Sequence, residues 1–301
     1  MVVSHFAKER MTEKMKIGLS TYSLQQELDK KRLTVVDAVR WIAEQGGEHV
    51  EIVPIGYSLI DEPGLIDRIR KAAEEEGIDI SNYAVGADFT KEDSEAYENE
   101  IRVVMKHVDA AHALGVTRMR HDVAFRPPAE GTVARFEADL PKLVEACRRI
   151  ADYAAQFGIT TSVENHGYYI QSSERVRRLI HETNRGNFKT TLDIGNFLCV
   201  DEDPVSAVMN NISYASMVHA KDFYRRPASR NPGEGWFRSA HGNYLRGAIV
   251  GQGDIDMPEV FRVLKSSGYD GYLSIEFEGM EDCKTASRIA MANARRLWDE
   301  A

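Results

Sequence analysis

Thr191-Leu192-Asp193-Ile194-Gly195-Asn196 is the stretch that decides the fold, and Val218-His219-Ala220-Lys221-Asp222 follows it one βα spacing later. Each is a short run of apolar or β-branched residues that ends in a polar side chain able to bind a ligand. Such a run reads as a buried strand that delivers one functional group at its C-terminal end. Two further runs have the same build: Thr161-Ser162-Val163-Glu164-Asn165-His166 upstream and Leu273-Ser274-Ile275-Glu276-Phe277 downstream.

Outward from these four runs the rhythm repeats. Strands are expected over residues 16–23, 49–54, 78–85, 116–124, 159–166, 188–193, 213–222 and 271–277. Between and after them, helices are expected over 34–45, 60–76, 91–114, 131–157, 172–182, 204–210, 257–267 and 282–298. Ile101, Val104, Val108 and Ala111 show the helical apolar spacing, and several helices stop at a glycine, which tolerates the left-handed cap. Eight strands alternating with helices is the count of a (β/α)8 barrel. A doubly wound sheet is the alternative, but no Gly-x-Gly-x-x-Gly follows the first strand. The expected fold is therefore α/β, one (β/α)8 TIM barrel over residues 16–301 with its active site at the C-terminal rim of the strands. Residues 1–15 read as a frayed N-terminal arm. Residues 224–253, rich in Gly and Arg, break the rhythm and read as a long lid-like loop.

Composition narrows the function classes. The 301 residues are 43% apolar, ample for a sizeable core. No run of 18 apolar residues exists to span a membrane, and residues 1–16 lack the apolar core of a secretory signal. A net charge of −9 disfavours nucleic acid as a partner. Cys147, Cys199 and Cys283 are odd in number and far apart, which fits free thiols in a reducing cytoplasm rather than a disulfide framework.

Side chains alternate along a strand, so parity sorts them into faces. Thr160, Ser162, Glu164 and His166 share one face; so do Lys189, Thr191 and Asp193; so do Met217, His219 and Lys221; Ser274 and Glu276 share another. Glu164, Asp193, His219 and Glu276 then stand at the rim on neighbouring strands about 5 Å apart. Carboxylates that close repel, and a divalent cation removes the cost. Oxygen ligands with one imidazole and no thiolate suit Mn²⁺, Mg²⁺, Co²⁺ or Zn²⁺. His166 is a candidate acid or base of suitable ordinary pKa, and Lys221, which shares the face of His219, is a candidate catalytic residue to hold a substrate oxygen or the enediolate. Glu51 and His121 close strands two and four and are candidates to touch substrate; the plainer alternatives are a salt bridge and a buried core histidine. Arg225 and Trp236, further candidates to touch substrate, lie in the lid-like loop with His241.

The ordered set Val163-Glu164-Asn165-His166, Leu192-Asp193-Ile194-Gly195-Asn196, His219-Ala220-Lys221-Asp222 and Ile275-Glu276-Phe277-Glu278 resembles the xylose-isomerase-like superfamily of sugar isomerases and epimerases. The resemblance runs from Lys16 to the C-terminus and includes the Gly251-Gln252-Gly253-Asp254-Ile255-Asp256 turn. It implies one divalent ion, Mn²⁺ expected ahead of Mg²⁺, Co²⁺ and Zn²⁺, held by Glu164, Asp193, His219 and Glu276. It also implies proton movement by Glu164 and Glu276 on opposite faces of a keto sugar, through an enediolate. Two features depart from that pattern. Many ketose 3-epimerases carry His three residues after the Asp, where Asn196 stands here beside the substrate position, and His166 follows Glu164 by two. Both raise a lyase branch, inosose-dehydratase-like or C-glycoside-cleaving, as the alternative to an isomerase or epimerase. A non-catalytic sugar-binding barrel is the reading of another class, and the apurinic endonucleases share the barrel but need a richer His and Asp set. The expected partner is a small sugar or sugar derivative, in the cytoplasm, with no nucleic acid and no membrane; a homo-oligomer, dimer or tetramer, fits the resemblance.

Overall fold

The computed structural model describes residues 15–301, so the arm expected over residues 1–15 lies, except for Met15, outside the described residues. The strands are β1 (Lys16–Ser20), β2 (His49–Ile52), β3 (Asp79–Val85), β4 (Arg118–His121), β5 (Thr160–Glu164), β6 (Phe188–Asp193), β7 (Ala215–Ala220), β8 (Asp222–Arg226), β9 (Phe237–Arg238), β10 (Tyr244–Ala248) and β11 (Tyr272–Ile275). The helices are α1 (Gln25–Asp29), α2 (Val35–Glu44), α3 (Pro63–Glu76), α4 (Ser94–Leu114), α5 (Val133–Ala155), α6 (Ser173–Thr183), α7 (Pro204–Asn211), α8 (Met257–Ser266) and α9 (Cys283–Glu300). Strands β1 to β7 and β11 close into a barrel in which every neighbouring pair is parallel.

Local sequence explains the element ends. A capping box between Thr34 and Asp37 starts α2, and a left-handed glycine, Gly115 at φ +81°, ends α4. Helix faces such as Ile101, Val104, Val108 and Ala111 are buried against the barrel wall, where each Ile or Val side chain contributes roughly 1.5–3 kcal/mol relative to exposure. Strand β5 stops at Glu164, two residues short of the expected end, because the Asn165 side chain takes over from the ladder. Its Nδ2 donates to Asp193 O at 2.8 Å and its Oδ1 accepts the Asp193 N–H at 2.8 Å. That amide staples the end of β5 to the end of β6.

The lid-like loop expected over residues 224–253 contains the strands of a three-stranded antiparallel sheet in the order β8-β10-β9, with irregular chain between them. Its strands are short and rich in Arg, so they carry no apolar alternation. Cross-strand pairing of Tyr224 with Arg246 sets a guanidinium 4.8 Å from a ring, a cation–π contact in place of an apolar pair. Asp201 pins the sheet from below by accepting from Ser239 Oγ at 2.8 Å, Asn243 Nδ2 at 2.6 Å and the His241 backbone N–H at 2.9 Å. At its root, Asp222 Oδ2 accepts N–H groups from Gly251 at 3.0 Å and Gly253 at 2.9 Å. A Cβ on Gly253 would sit 2.1 Å from Asp222 Oδ1, so only glycine fits there. None of the described helices is long and apolar enough to cross a membrane.

Candidate metal centre

Register brings four side chains to one point at the C-terminal ends of β5, β6, β7 and β11. Asp193 lies opposite His219, His219 lies beside Ser274, and Glu164 lies opposite Thr191. Two residues beyond Ser274, Glu276 faces the same way. Beneath Glu164, the hydroxyls of Ser162 and Thr191 pair at 2.7 Å and close the layer below. One potential ligand atom from each of Glu164, Asp193, His219 and Glu276 lies within 4.8 Å of the others, and all four residues are buried. His219 Nδ1 is the hub: Glu164 Oε1 is 3.5 Å away, Glu276 Oε1 3.6 Å and Asp193 Oδ2 3.9 Å. That nitrogen is buried without a hydrogen-bond partner.

The other oxygens of the two glutamates are held by cations. Arg120 ion-pairs with Glu164 Oε2, and its Nη1 also donates to the Val85 carbonyl at 3.2 Å and lies 3.5 Å from Asp122. Lys221 Nζ lies 2.6 Å from Glu276 Oε2, 3.2 Å from Asp193 Oδ2 and 3.5 Å from Glu278 Oε2. Asn196 links the two halves: its Nδ2 donates to Glu164 Oε1 at 3.1 Å, its backbone N–H to Asp193 Oδ1 at 2.8 Å, and its Oδ1 accepts from Lys221 at 3.3 Å. Gly195 has to be a glycine because a Cβ there would lie 2.8 Å from the Lys221 carbonyl.

Burial would neutralise all of these groups, and the charge pattern decides which ones resist. Burial would raise Glu164, but Arg120 and His219 hold it well below the usual carboxylate range. Burial would lower Lys221, but Asp193, Glu276 and Glu278 hold it well above the usual amine value. Asp193 is pushed up to about 7, by burial first and then by Glu164 and Glu276, with Lys221 opposing. One carboxylate of the cluster is thus driven toward its neutral form by burial, with its carboxylate neighbours adding to the effect. Three carboxylates converging on an unpartnered imidazole nitrogen fit a divalent cation, which would relieve that repulsion. Glu164, Asp193, His219 and Glu276 are the residues that could hold it.

The remaining candidates divide. Lys221 and Asn196 are in the cluster. His166 stands at its edge with a half-exposed ring, its Nδ1 3.5 Å from Asp122 Oδ1; burial would lower its pKa, but Asp122 raises it. Glu51, expected to touch substrate, is fully buried behind His219, whose Nε2 lies 3.0 Å from its Oε1 and 2.9 Å from its Oε2. His121 is the core histidine of the plainer alternative: it is fully buried, with Phe89 and Phe188 at ring distances of 5.9 and 6.2 Å. Arg225 is exposed on β8, its backbone N–H on Asp254 at 2.6 Å. Trp236 is half-buried with the Arg226 and Arg246 guanidinium groups each 5.5 Å from its ring. These two belong to the inserted sheet rather than to the ligand cluster, as does His241, held at 3.0 Å by Asp201.

Arg120, Asp122, Asn82 and Glu278 were not anticipated from sequence. For Arg120 the signal was present. In Arg118-Met119-Arg120-His121, parity puts Met119 and His121 on the apolar outer face and the two arginines inside.

A carboxylate-rich cluster at this end of a closed parallel barrel places the chain in the class of (β/α)8 barrels whose rim could hold a divalent cation. More narrowly, it belongs to the xylose isomerase-like TIM barrel family, whose sequence profile matches residues 39–300. An inosose dehydratase of Clostridium perfringens is 22% identical over 231 residues, covering 72% of this chain and 75% of that protein. In fold, the chain is similar to a probable 3-DHS dehydratase from Bacillus anthracis (TM-score 0.73, 18% identity, 92% of this chain and 98% of that one). It is similar as well to a D-psicose 3-epimerase (TM-score 0.72, 15% identity, 94% and 99%).

Proposed function

We propose that this chain is a divalent-metal-dependent enzyme that acts on a keto sugar or keto polyol through an enediolate, and that it eliminates a β-substituent from that intermediate. The observation that carries the choice of outcome is Arg120 on Glu164 Oε2. A two-base epimerase needs a free carboxylate oxygen on each face of the substrate. Here the second oxygen of Glu164 is engaged by a guanidinium, which stays protonated and lowers the basicity of its partner. Glu276 is backed instead by Lys221, a flexible ammonium shared with Asp193 and Glu278, which can release Glu276 Oε2 without losing its own proton. One face of the site is therefore equipped to move the α-proton, while His166, half-exposed at the edge, is placed to protonate a departing hydroxyl, which leaves as water. A bound cation would supply a Lewis acid for the carbonyl and adjacent hydroxyl oxygens of the substrate. The inosose dehydratase relative supports this branch, and three buried, unpaired thiols suit a cytoplasmic setting.

Epimerisation or isomerisation is the second reading. The near-equal distances of Glu164 and Glu276 from His219 Nδ1, 3.5 and 3.6 Å, favour it. Turnover in D₂O separates the two. Mn²⁺-loaded protein is incubated with an inosose, a free ketose and a 3-keto-glycoside, and the products are followed by NMR and mass. Elimination yields an unsaturated or diketo product lighter by one water; epimerisation returns an isomer carrying one deuterium at the α-carbon. Binding without exchange or turnover on all three would leave a non-catalytic sugar-binding barrel and end the enzyme reading.

A further inference from the structure

We infer that Glu51, fixed in turn by Asn82, is a positioning residue for the metal centre: it selects the tautomer of His219 and so presents Nδ1, not Nε2, to the cation. The inference rests on the metal reading above and goes beyond it, since Glu51 is one wall of the barrel away from the ligand cluster.

Three observations carry it. First, the two ring nitrogens of His219 have opposite surroundings. Nε2 lies 2.9–3.0 Å from both oxygens of the Glu51 carboxylate, while Nδ1 has no hydrogen-bond partner and faces carboxylate oxygens of Glu164, Asp193 and Glu276. A carboxylate is acceptor-only, so Glu51 fixes a hydrogen on Nε2, and Nδ1 is left as the nitrogen whose lone pair a cation among the three carboxylates would take. Second, Glu51 cannot swing away. Both residues are fully buried, and Asn82 Nδ2 donates to Glu51 Oε1 at 2.7 Å. Third, β2 aims it across the barrel: Glu51 pairs with Ser20 of β1 on one side and Asn82 of β3 on the other, whereas His219 arrives from β7. A structural ion pair would need no such division of the imidazole, whose free nitrogen points at three oxygens. A carboxylate behind a metal-binding histidine holds ring orientation and raises ligand basicity, and its loss costs about 10- to 100-fold in metal affinity.

The test reads the metal rather than turnover. Purified full-length protein is stripped with chelator and titrated with Mn²⁺ by calorimetry and with Co²⁺ by visible absorption. Glu51→Gln keeps the shape but lets the position offer a donor to Nε2, so both tautomers become available. The expected result is Mn²⁺ affinity lower by about 10- to 100-fold and an altered Co²⁺ ligand-field band, with the far-UV spectrum of the wild type. Asn82→Ser, which frees Glu51 without removing it, is expected to show a smaller loss in the same direction, and it carries the test if the Gln variant does not fold. Wild-type affinity and an unchanged Co²⁺ band in whichever of the two variants folds overturn the inference while leaving the metal site standing. If the wild type itself takes up neither ion, the metal reading falls and this inference falls with it.

Discussion

The rim of β5 and the rim of β11 each deliver a glutamate to almost the same distance from His219 Nδ1, and the two differ in what stands behind them. Behind Glu164 are a guanidinium and the Asn196 amide; behind Glu276 is an ammonium shared with Asp193 and Glu278. The guanidinium is a rigid fork fixed on Glu164, while the Lys221 ammonium sits on a flexible stem and is shared among three carboxylates. Two residues of one type, on one face of one barrel, are thereby given different capacities. In the proposed elimination, the partner of the second carboxylate oxygen, more than the ligand itself, sets which glutamate handles the proton.

The largest expected effect breaks the pair directly. Glu276→Gln is expected to lower kcat by about a thousandfold, within the range for losing a general base. Glu164→Gln is expected to act mainly through weaker metal binding, with most of kcat recovered at saturating Mn²⁺. Steady-state kinetics across a metal titration measures both. A larger kcat loss at saturating metal for the Glu164 variant would reverse the assignment and revive two-base epimerisation.

Next in size is the cation behind Glu164. Arg120→Met leaves a carboxylate buried in the barrel without its partner, a change that costs about 3–5 kcal/mol. Urea unfolding of the metal-free protein should show that loss. Saturating Mn²⁺ should restore part of it, because the ion then takes over the neutralisation of Glu164. A variant as stable as the wild type would mean that Asn196 alone suffices to hold Glu164.

Both glutamates should also respond together when the ion is taken away. A ligand that binds only the folded state at a thousandfold excess over Kd stabilises by about 4 kcal/mol. Chelation should therefore lower Tm by several degrees, and re-addition of Mn²⁺ should reverse it. An unchanged Tm, with no metal found by elemental analysis, would leave Arg120, Lys221 and His219 to balance the carboxylates of the cluster.

How far the comparison was visible in the sequence depends on which contacts set it. The barrel was legible because the βα period and glycine stops are local, and the inserted sheet was not, because its two- to five-residue strands are polar and carry no alternation. The four clustered residues were legible because each is the last or nearly last inward side chain of a run. Glu51 stands out in the sequence as a substrate contact or a salt-bridging group, but its bond to His219 spans 168 residues across the barrel, and no periodicity reports such a contact. His121 closes its strand as His219 nearly closes β7, yet its parity with Met119 turns it to the outer face. Counting from the strand end misplaces it; counting faces does not.

That neighbouring pair on β4, Arg120 inside and His121 outside, gives the smallest and last test. It separates pH effects on the barrel from pH effects on the glutamates. Burial lowers the His121 pKa to about 4, with the Asp122 carbonyl on Nδ1 opposing at 2.9 Å. In the unfolded chain the same ring takes its proton near 6.5. Between those values the unfolded state binds more protons than the native one, so stability falls as pH falls from about 6.5 to about 4 and the contribution changes no further below. A shift of that size corresponds to roughly 3 kcal/mol. His121→Phe removes the titrating group while keeping an aromatic ring between Phe89 and Phe188. Its urea-unfolding free energy, compared with wild type at pH 7 and pH 4.5, should therefore drop less on acidification, by up to roughly that amount. Equal acid slopes for the two proteins would show that His121 is protonated in the native state, and that its aromatic surroundings admit a charge.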